Sequence, residues 1–129
     1  ADVYMYQMVK VTEEGGVLSR YTKPPFRAEG TVQPLRDVYA DLVRDGQTLA
    51  SACNKCVRAS LLRQREIRFR EDVLGEDIDW VLGLFSQAQT ICLLNLPAYA
   101  YTQHKNSSRS TERDAPNDLV EIILDFLEK

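Results

Sequence analysis

Residues 75–88 read GEDIDWVLGLFSQA, and this segment carries the clearest secondary-structure signal in the chain. Its apolar residues recur every three or four positions, a period typical of an amphipathic helix. Trp80 and Leu84 add a second apolar edge to the predicted buried stripe, which consists of Ile78, Val81, Leu82, Phe85 and Ala88. A glycine and two carboxylates therefore stand where this helix is predicted to begin.

Strand and helix patterns alternate on both sides of this segment. The stretch Val3–Val11 (VYMYQMVKV) is rich in aromatic and β-branched residues, as expected of a largely covered strand. Further strands are predicted at residues 17–21, 67–69, 91–94 and 98–102, with a turn at 95–97. Further helices are predicted from Pro34 to Gly46, at 57–65 and at 116–127. The pattern predicts a single domain, residues 1–129, of α/β (mixed α+β) class with a short mixed sheet and about four helices.

Composition and charge restrict the classes of function. The chain has 129 residues, of which 44% are hydrophobic and 27% are charged, as in ordinary globular domains. A net charge of -3 argues against nucleic acid as a partner, because neutralising phosphates requires a basic surface. Arginines do cluster between Arg58 and Arg70, where they could attract an anionic substrate or an anionic membrane surface. Three cysteines without a signal-peptide pattern predict reduced thiols in the cytoplasm.

Two adjacent carboxylates, Glu76 and Asp77, form the first candidate for a chemical site. At the positive end of the helix dipole, Asp77 is expected to stay ionised near neutral pH and to accept a proton. Trp80, one turn further on, offers a flat apolar face suited to a sugar ring. The alternative is helix capping, because acidic residues are favoured in any first turn, with Trp80 as a core residue.

Two weaker candidates are the pair Cys53 and Cys56 and the segment after His104. The thiols could form half of a zinc site or a redox pair, but no second C-x-x-C follows them. Buried small apolar thiols are the ordinary interpretation of such a pair. His104, with the hydroxyl and basic side chains of residues 105–110, could bind a diphosphate or a metal that carries one; the alternative is a solvated loop.

Several segments resemble, in order and spacing, the second half of the family 2 (GT-A type) glycosyltransferases that build capsular and cell-surface polysaccharides. Residues 52–55 (ACNK) are similar to the "acnK" segment of that family, and residues 75–80 (GEDIDW) to its "gEDxxW" motif. Residues 97–101 (PAYAY) are similar to "plYyY", and residues 104–107 (HKNS) to the "R/H-x-x-S" segment that follows it. The opening ADVY resembles the "aDvv" strand that comes shortly after the metal-binding D-x-D of the family.

The resemblance implies the C-terminal part of a GT-A fold, the acceptor-side half of an inverting enzyme of the hexosyltransferase type. Such an enzyme transfers a sugar from a nucleotide-sugar donor to a saccharide or lipid-linked acceptor. Asp77 would be the general base and Glu76 its catalytic partner. His104 would contact the metal, and the resemblance implies four substrate-binding residues: Trp80, Lys55, Ser107 and Arg109.

A divalent metal, Mn²⁺ or Mg²⁺, would act in the intact enzyme, held mainly by the upstream D-x-D. Because that motif and the nucleotide-binding half are missing, we expect this chain to be a fragment, inactive alone and without a bound metal. Thr102 stands where the family often has Arg, and Arg109 replaces the second serine of its "S-x-S" segment, so the diphosphate contacts depart from the family pattern.

If the nucleotide-binding half is missing, the surface that it would cover is exposed and could bind another protein chain. We expect a homodimer through the Val3–Val11 strand, because an unpaired apolar strand edge invites pairing. We further expect a cytoplasmic location, with a peripheral contact at the inner face of the cell membrane as an option. The alternative function is a non-catalytic protein- or membrane-interaction module.

Overall fold

The structure is a computed structural model that describes residues 1–20, 25–47 and 51–104, together with Leu124, Leu127 and Glu128. For Ser19 and Arg20 only the backbone is described. The strands are β1 (Val3–Val11), β2 (Val17–Arg20), β3 (Val32–Pro34), β4 (Lys55–Val57) and β5 (Thr90–Thr102). The helices are α1 (Leu35–Arg44), α2 (Ala59–Gln64), α3 (Glu76–Gln87) and a short 3-10 helix at Ala52–Asn54.

The predicted mixed α/β class is confirmed by a five-stranded sheet that combines parallel and antiparallel pairs. Three α-helices lie in the described ranges, and the fourth predicted helix, 116–127, falls almost wholly outside them. No helix within the described residues is long and apolar enough to cross a membrane.

Strand β1 is the centre of the sheet. Along one edge it pairs in parallel with β5, and along the other it pairs antiparallel with β4 through Val3–Met5 and with β2 through Val9–Val11. Asp2 secures the parallel pair, since its Oδ2 accepts hydrogen bonds from the backbone N–H groups of Gln89 (2.9 Å) and Thr90 (3.0 Å). The prediction of an unpaired β1 edge for dimerisation is therefore wrong, because partners from the same chain occupy both edges; the homodimer itself stays a prediction.

Strand β5 corrects the predicted turn at residues 95–97. The chain continues as one strand of thirteen residues, and the turn signal marks a bulge instead. Tyr6 pairs with Leu94, Gln7 with Pro97, and Met8 with Tyr99, so β5 accommodates extra residues opposite β1. Proline has no N–H to contribute to the ladder, which is why it is tolerated at a bulge.

The core lies on one face of the sheet, beneath α1 and α3. Val3, Met5, Ile91 and Leu93 point inward from β1 and β5 and are at most 2% exposed. Three residues of α1 and three of α3 cover them: Leu35, Val38, Leu42, Trp80, Val81 and Leu84. Trp80 and Leu84, predicted as an edge, thus form the centre of the buried face of α3. The helix is apolar over a wide arc, so packing rather than periodicity selects the innermost side chains.

Two local predictions differ from the structure between α1 and α3. Residues 55–57, expected to lead into a helix, form the short strand β4 instead. They do so because the backbone N–H and C=O groups of the N-terminal part of β1 pair with them. Residues 67–69, expected as a strand, belong to no strand, although Ile67 packs against the core.

Truncating a fully buried residue of α3 tests this packing. We expect Leu84→Ala to lower the free energy of unfolding by about 2–5 kcal/mol, because Leu84 is 0% exposed and its loss leaves a cavity. Urea unfolding followed by circular dichroism measures the change. Leu18→Ala is the control, since Leu18 is 57% exposed and its truncation should stay within about 0.5 kcal/mol. Equal losses in both variants would contradict the assigned core.

Candidate functional site

The first turn of α3 concentrates negative charge at a helix start. Gly75 immediately precedes it with φ 89° and ψ 24°, a left-handed conformation that glycine adopts without strain. Glu76, Asp77 and Asp79 then follow in the first turn. The N-terminal end of a helix dipole favours such carboxylates in their ionised form.

These three carboxylates have different surroundings. Glu76 is exposed to solvent, whereas Asp77 and Asp79 are half-buried. Asp79 Oδ1 lies 3.5 Å from Arg70 Nη2, so it pairs with an arginine. Asp77 Oδ2 accepts a hydrogen bond from the backbone N–H of Ala52, at 3.3 Å and 25 residues away in sequence. The observed bond of Asp77 thus reaches another segment rather than capping its own helix.

The partner segment is the 3-10 helix Ala52–Asn54. Ser51 caps this helix, because its Oγ accepts a hydrogen bond from the N–H of Cys53 at 3.3 Å. From the central strand, Tyr6 Oη donates a hydrogen bond to the carbonyl oxygen of Cys53 at 2.9 Å. The segment that holds Asp77 is therefore itself anchored to β1.

Lys55 follows that segment directly and is only 7% exposed. Its Nζ donates hydrogen bonds to the Ser51 carbonyl oxygen (2.6 Å) and to Asn54 Oδ1 (2.7 Å). It also lies 5.8 Å from the centre of the Phe85 ring, within the range of a cation–π contact. Burial lowers the pKa of Lys55 to about 8, while the nearby Asp77 and Cys53 act in the opposite direction.

Two tyrosines and two thiols complete this region. Hydrogen bonding to the Cys53 side chain raises the pKa of Tyr99, and electrostatic repulsion from the same side chain acts in the same direction. Burial raises the pKa of Tyr6, with a further contribution from Cys56. Neither tyrosine was a predicted site residue, because aromatic residues in a strand are ordinarily read as sheet or core positions.

Trp80, predicted to stack on a sugar, lies in the core at 7% exposure. The ring of Phe69 stacks on it, with centroids 5.0 Å apart and planes 8° from parallel. Phe69 is 47% exposed, so it presents the accessible aromatic surface at this place. The only sequence signal for this arrangement is an aromatic residue shortly before the GEDIDW motif.

His104 lies at another part of the molecule, beside the β1–β2 hairpin. Its Nδ1 is 3.0 Å from Glu13 Oε1, and both side chains are more than half exposed. The N–H of Gln103 bonds to the Val11 carbonyl oxygen, five residues along β1 from Tyr6. Since strands rise about 3.3 Å per residue, Val11 lies about 17 Å along β1 from Tyr6.

A divalent metal does not fit the described residues alone. Mn²⁺ and Mg²⁺ favour about six ligands, mostly oxygens, whereas His104 and Glu13 supply one imidazole and one carboxylate. Within residues 1–20, 25–47 and 51–104, no three His, Cys, Asp or Glu side chains group together as metal ligands. Ser107 and Arg109 lie outside the described residues.

A groove of about 960 Å³ runs between α1 and the C-terminal half of α3. Its lining is mainly apolar and includes Leu35, Tyr39, Leu82 and Phe85, with Arg36 as the one charged residue among the lining residues that the structure describes. None of these described lining residues is a carboxylate that could act as a base, in contrast to the start of α3.

The burial of the Lys55 ammonium group predicts how the stability of the protein changes with pH. The pKa of Lys55 falls from 10.5 to about 8 on folding, so the unfolded chain binds more protons between these values. Stability that depends on Lys55 should therefore rise with pH in this window. We expect wild type to gain about 2 kcal/mol relative to Lys55→Met between pH 7 and pH 9.5, measured by urea unfolding. A difference that does not change with pH would show that the ammonium is not desolvated.

The predicted site residues thus fall into separate groups. Asp77 and Lys55 meet at the segment 51–54, and Glu76 lies beside them on the solvent side. Trp80 packs below Phe69, and His104 pairs with Glu13. No protein-family model matches the chain, and no curated protein matches it.

Proposed function

We propose that the chain is the acceptor-side half of an inverting family 2 glycosyltransferase, in which Asp77 is the general base. One observation carries the proposal: Asp77 accepts a hydrogen bond from Ala52. Two of the segments that carry the resemblance, ACNK and GEDIDW, are therefore in contact, through residues that are 25 positions apart. Direct contact between them is what a shared site requires.

The surroundings of Asp77 suit the chemistry of a general base. The hydrogen bond from Ala52 orients the carboxylate through Oδ2. A carboxylate has about four acceptor positions, so this bond leaves capacity for an incoming hydroxyl group. Half-burial limits the competition from water while it keeps the group accessible.

The proposed reaction forms one bond and breaks another. The hydroxyl proton of the acceptor moves to the Asp77 carboxylate while the oxygen attacks the anomeric carbon of the donor. The bond from that carbon to the nucleoside diphosphate breaks on the opposite face, which inverts the configuration. When bound, the divalent metal would neutralise charge on the departing diphosphate.

The neighbouring residues take supporting roles in this proposal. Glu76 is exposed beside the base, where it can accept hydrogen bonds from other hydroxyl groups of the acceptor. Phe69, rather than the buried Trp80, offers the face on which a sugar ring can stack. Ser107, Arg109 and His104 are proposed for the diphosphate side on the resemblance alone, and the metal is assigned to the upstream D-x-D.

A second candidate is the non-catalytic interaction module, and two observations favour it. Trp80 is packed in the core, and the arginines Arg63, Arg65 and Arg68 are exposed in and after α2. A cluster of exposed arginines attracts anionic lipid surfaces. A peripheral location at the inner face of the membrane fits either candidate.

The central prediction concerns Asp77→Asn in the protein that also contains the nucleotide-binding half. We expect kcat to fall at least about 10²-fold, because an amide cannot accept the proton, with donor affinity nearly unchanged. Turnover with a radiolabelled nucleotide-sugar and calorimetry with the nucleoside diphosphate and Mn²⁺ measure the two quantities. Asp37→Asn is the matched control, since Asp37 is an exposed carboxylate in the first turn of α1. Retained turnover in Asp77→Asn would remove Asp77 from this role.

Vesicle binding tests the second candidate. If the arginines form a membrane contact, the chain should bind phosphatidylcholine–phosphatidylserine vesicles in flotation assays, and salt should weaken this binding. Substituting Arg63, Arg65 and Arg68 together with serine should abolish it, whereas Arg36→Ser, on α1, should not. Binding that all variants retain would exclude this surface as the contact.

A further inference from the structure

Lys55 is an internal cation. It is 7% exposed, and among the residues that the structure describes no other lysine or arginine is buried. The alternation of β4 turns Lys55 inward and leaves Cys56 exposed, so the prediction of buried thiols is wrong for Cys56. Burying an ammonium group removes most of its hydration, a cost that ordinarily keeps lysine out of protein interiors. A buried lysine at this place therefore calls for a physical explanation.

The contacts of Lys55 span the segment that holds Asp77. Its Nζ donates to the carbonyl oxygen of Ser51, just before the 3-10 helix, and to Asn54 Oδ1, at the end of that helix. Between these two points lies Ala52, whose N–H donates to Asp77 Oδ2. The ammonium group thus joins the two ends of the short segment from which Asp77 receives its hydrogen bond.

Among the described residues, charged and titratable groups act on Lys55 or on the segment it contacts from four elements: α3, the 3-10 helix, β1 and β5, whose Tyr99 hydrogen-bonds to the Cys53 side chain. Asp77 on α3 attracts the ammonium group through space, and Phe85 of the same helix places its ring 5.8 Å away. Cys53 acts on it from the 3-10 helix. Tyr6 on β1 donates to the Cys53 carbonyl oxygen and thereby fixes the same segment from the sheet side.

We propose that Lys55 is a positioning residue: its buried ammonium group holds residues 51–54 in the shape that directs the Ala52 N–H to the Asp77 carboxylate. The proposal rests on the proposed function, since it assigns how the base is oriented. It also gives Lys55 a different role from the substrate contact that the resemblance implies, because a side chain that is 7% exposed offers a substrate little surface.

The Ala52 amide is a direct probe of this arrangement in the present chain. In ¹⁵N-labelled protein its chemical shift should follow the protonation of Asp77 on acidification, and Asp77→Asn should abolish that response. If Lys55 positions the segment, Lys55→Met should also abolish the response while the other amide signals stay dispersed. An Ala52 response in Lys55→Met equal to that of wild type would overturn the proposal.

A measurement without a substitution at position 55 covers the case in which Lys55→Met does not fold. Loss of the proton from Lys55 should shift the Ala52 ¹⁵N signal with a midpoint near pH 8, because burial lowers the pKa of Lys55 to about 8. Selective ¹³Cε labelling of lysine gives the titration of Lys55 itself. The experiment is repeated with Cys53→Ser/Cys56→Ser, which removes both thiols. An Ala52 chemical shift that does not change as Lys55 titrates in this variant would overturn the proposal.

Turnover separates this proposal from the proposed function. In the protein with the nucleotide-binding half, Lys55→Met should lower kcat about 10- to 100-fold and leave KM for the donor within about twofold, as misplacement of a base does. A raised donor KM with unchanged kcat would instead assign Lys55 to substrate binding. If Asp77→Asn keeps full turnover while the Ala52 response still requires Lys55, the proposed function fails. Lys55 then holds residues 51–54 in place for a structural reason only.

Discussion

The parallel pairing of β1 with β5 is the constraint on which the rest of the structure depends. Parallel strands cannot be joined by a tight turn, so the chain between them must cross over one face of the sheet. α1 and α3 lie on that face and bury the apolar sides of both strands. Because β5 occupies one edge of β1, the two antiparallel partners β2 and β4 must share the other edge.

This arrangement also decides what can meet at the candidate site. Strand β4 pairs with the first residues of β1, which places the preceding 3-10 helix next to Tyr6 and the start of α3. The last residues of β5 follow β1 to its opposite end, where His104 pairs with Glu13. The length of β1 thus separates Asp77 from His104, although the sequence motifs suggested a shared site.

The site combines an exposed and a buried form of charge. The carboxylates in the first turn of α3 lie near the positive end of the helix dipole and remain partly hydrated. Placing negative charge there therefore costs little free energy. The ammonium group of Lys55 has lost its water and depends on two oxygen acceptors, an aromatic ring and the nearby Asp77. The half-buried Asp77 and the buried ammonium group of Lys55 lie in adjacent segments, and the charge of Asp77 acts on the pKa of Lys55 against the effect of burial.

Local pattern was sufficient for the elements whose residues repeat with a clear period. The apolar spacing of α1 and α3, the β-rich Val3–Val11 and the hairpin at Val17–Arg20 all correspond to elements of the structure. Pattern failed where a partner decides the conformation: residues 55–57 extend because β1 is beside them, and residues 95–97 bulge instead of turning because β1 continues opposite them.

For the candidate site, the sequence by itself determined the chemistry available: carboxylates at a helix start, a lysine after a short polar segment, and aromatic residues nearby. Only the tertiary structure decided which of these side chains meet, that Lys55 is buried, and that Phe69 rather than Trp80 is accessible. The physical reason is that periodicity specifies which face of an element is apolar, whereas burial and contact depend on residues distant in sequence that pack against it.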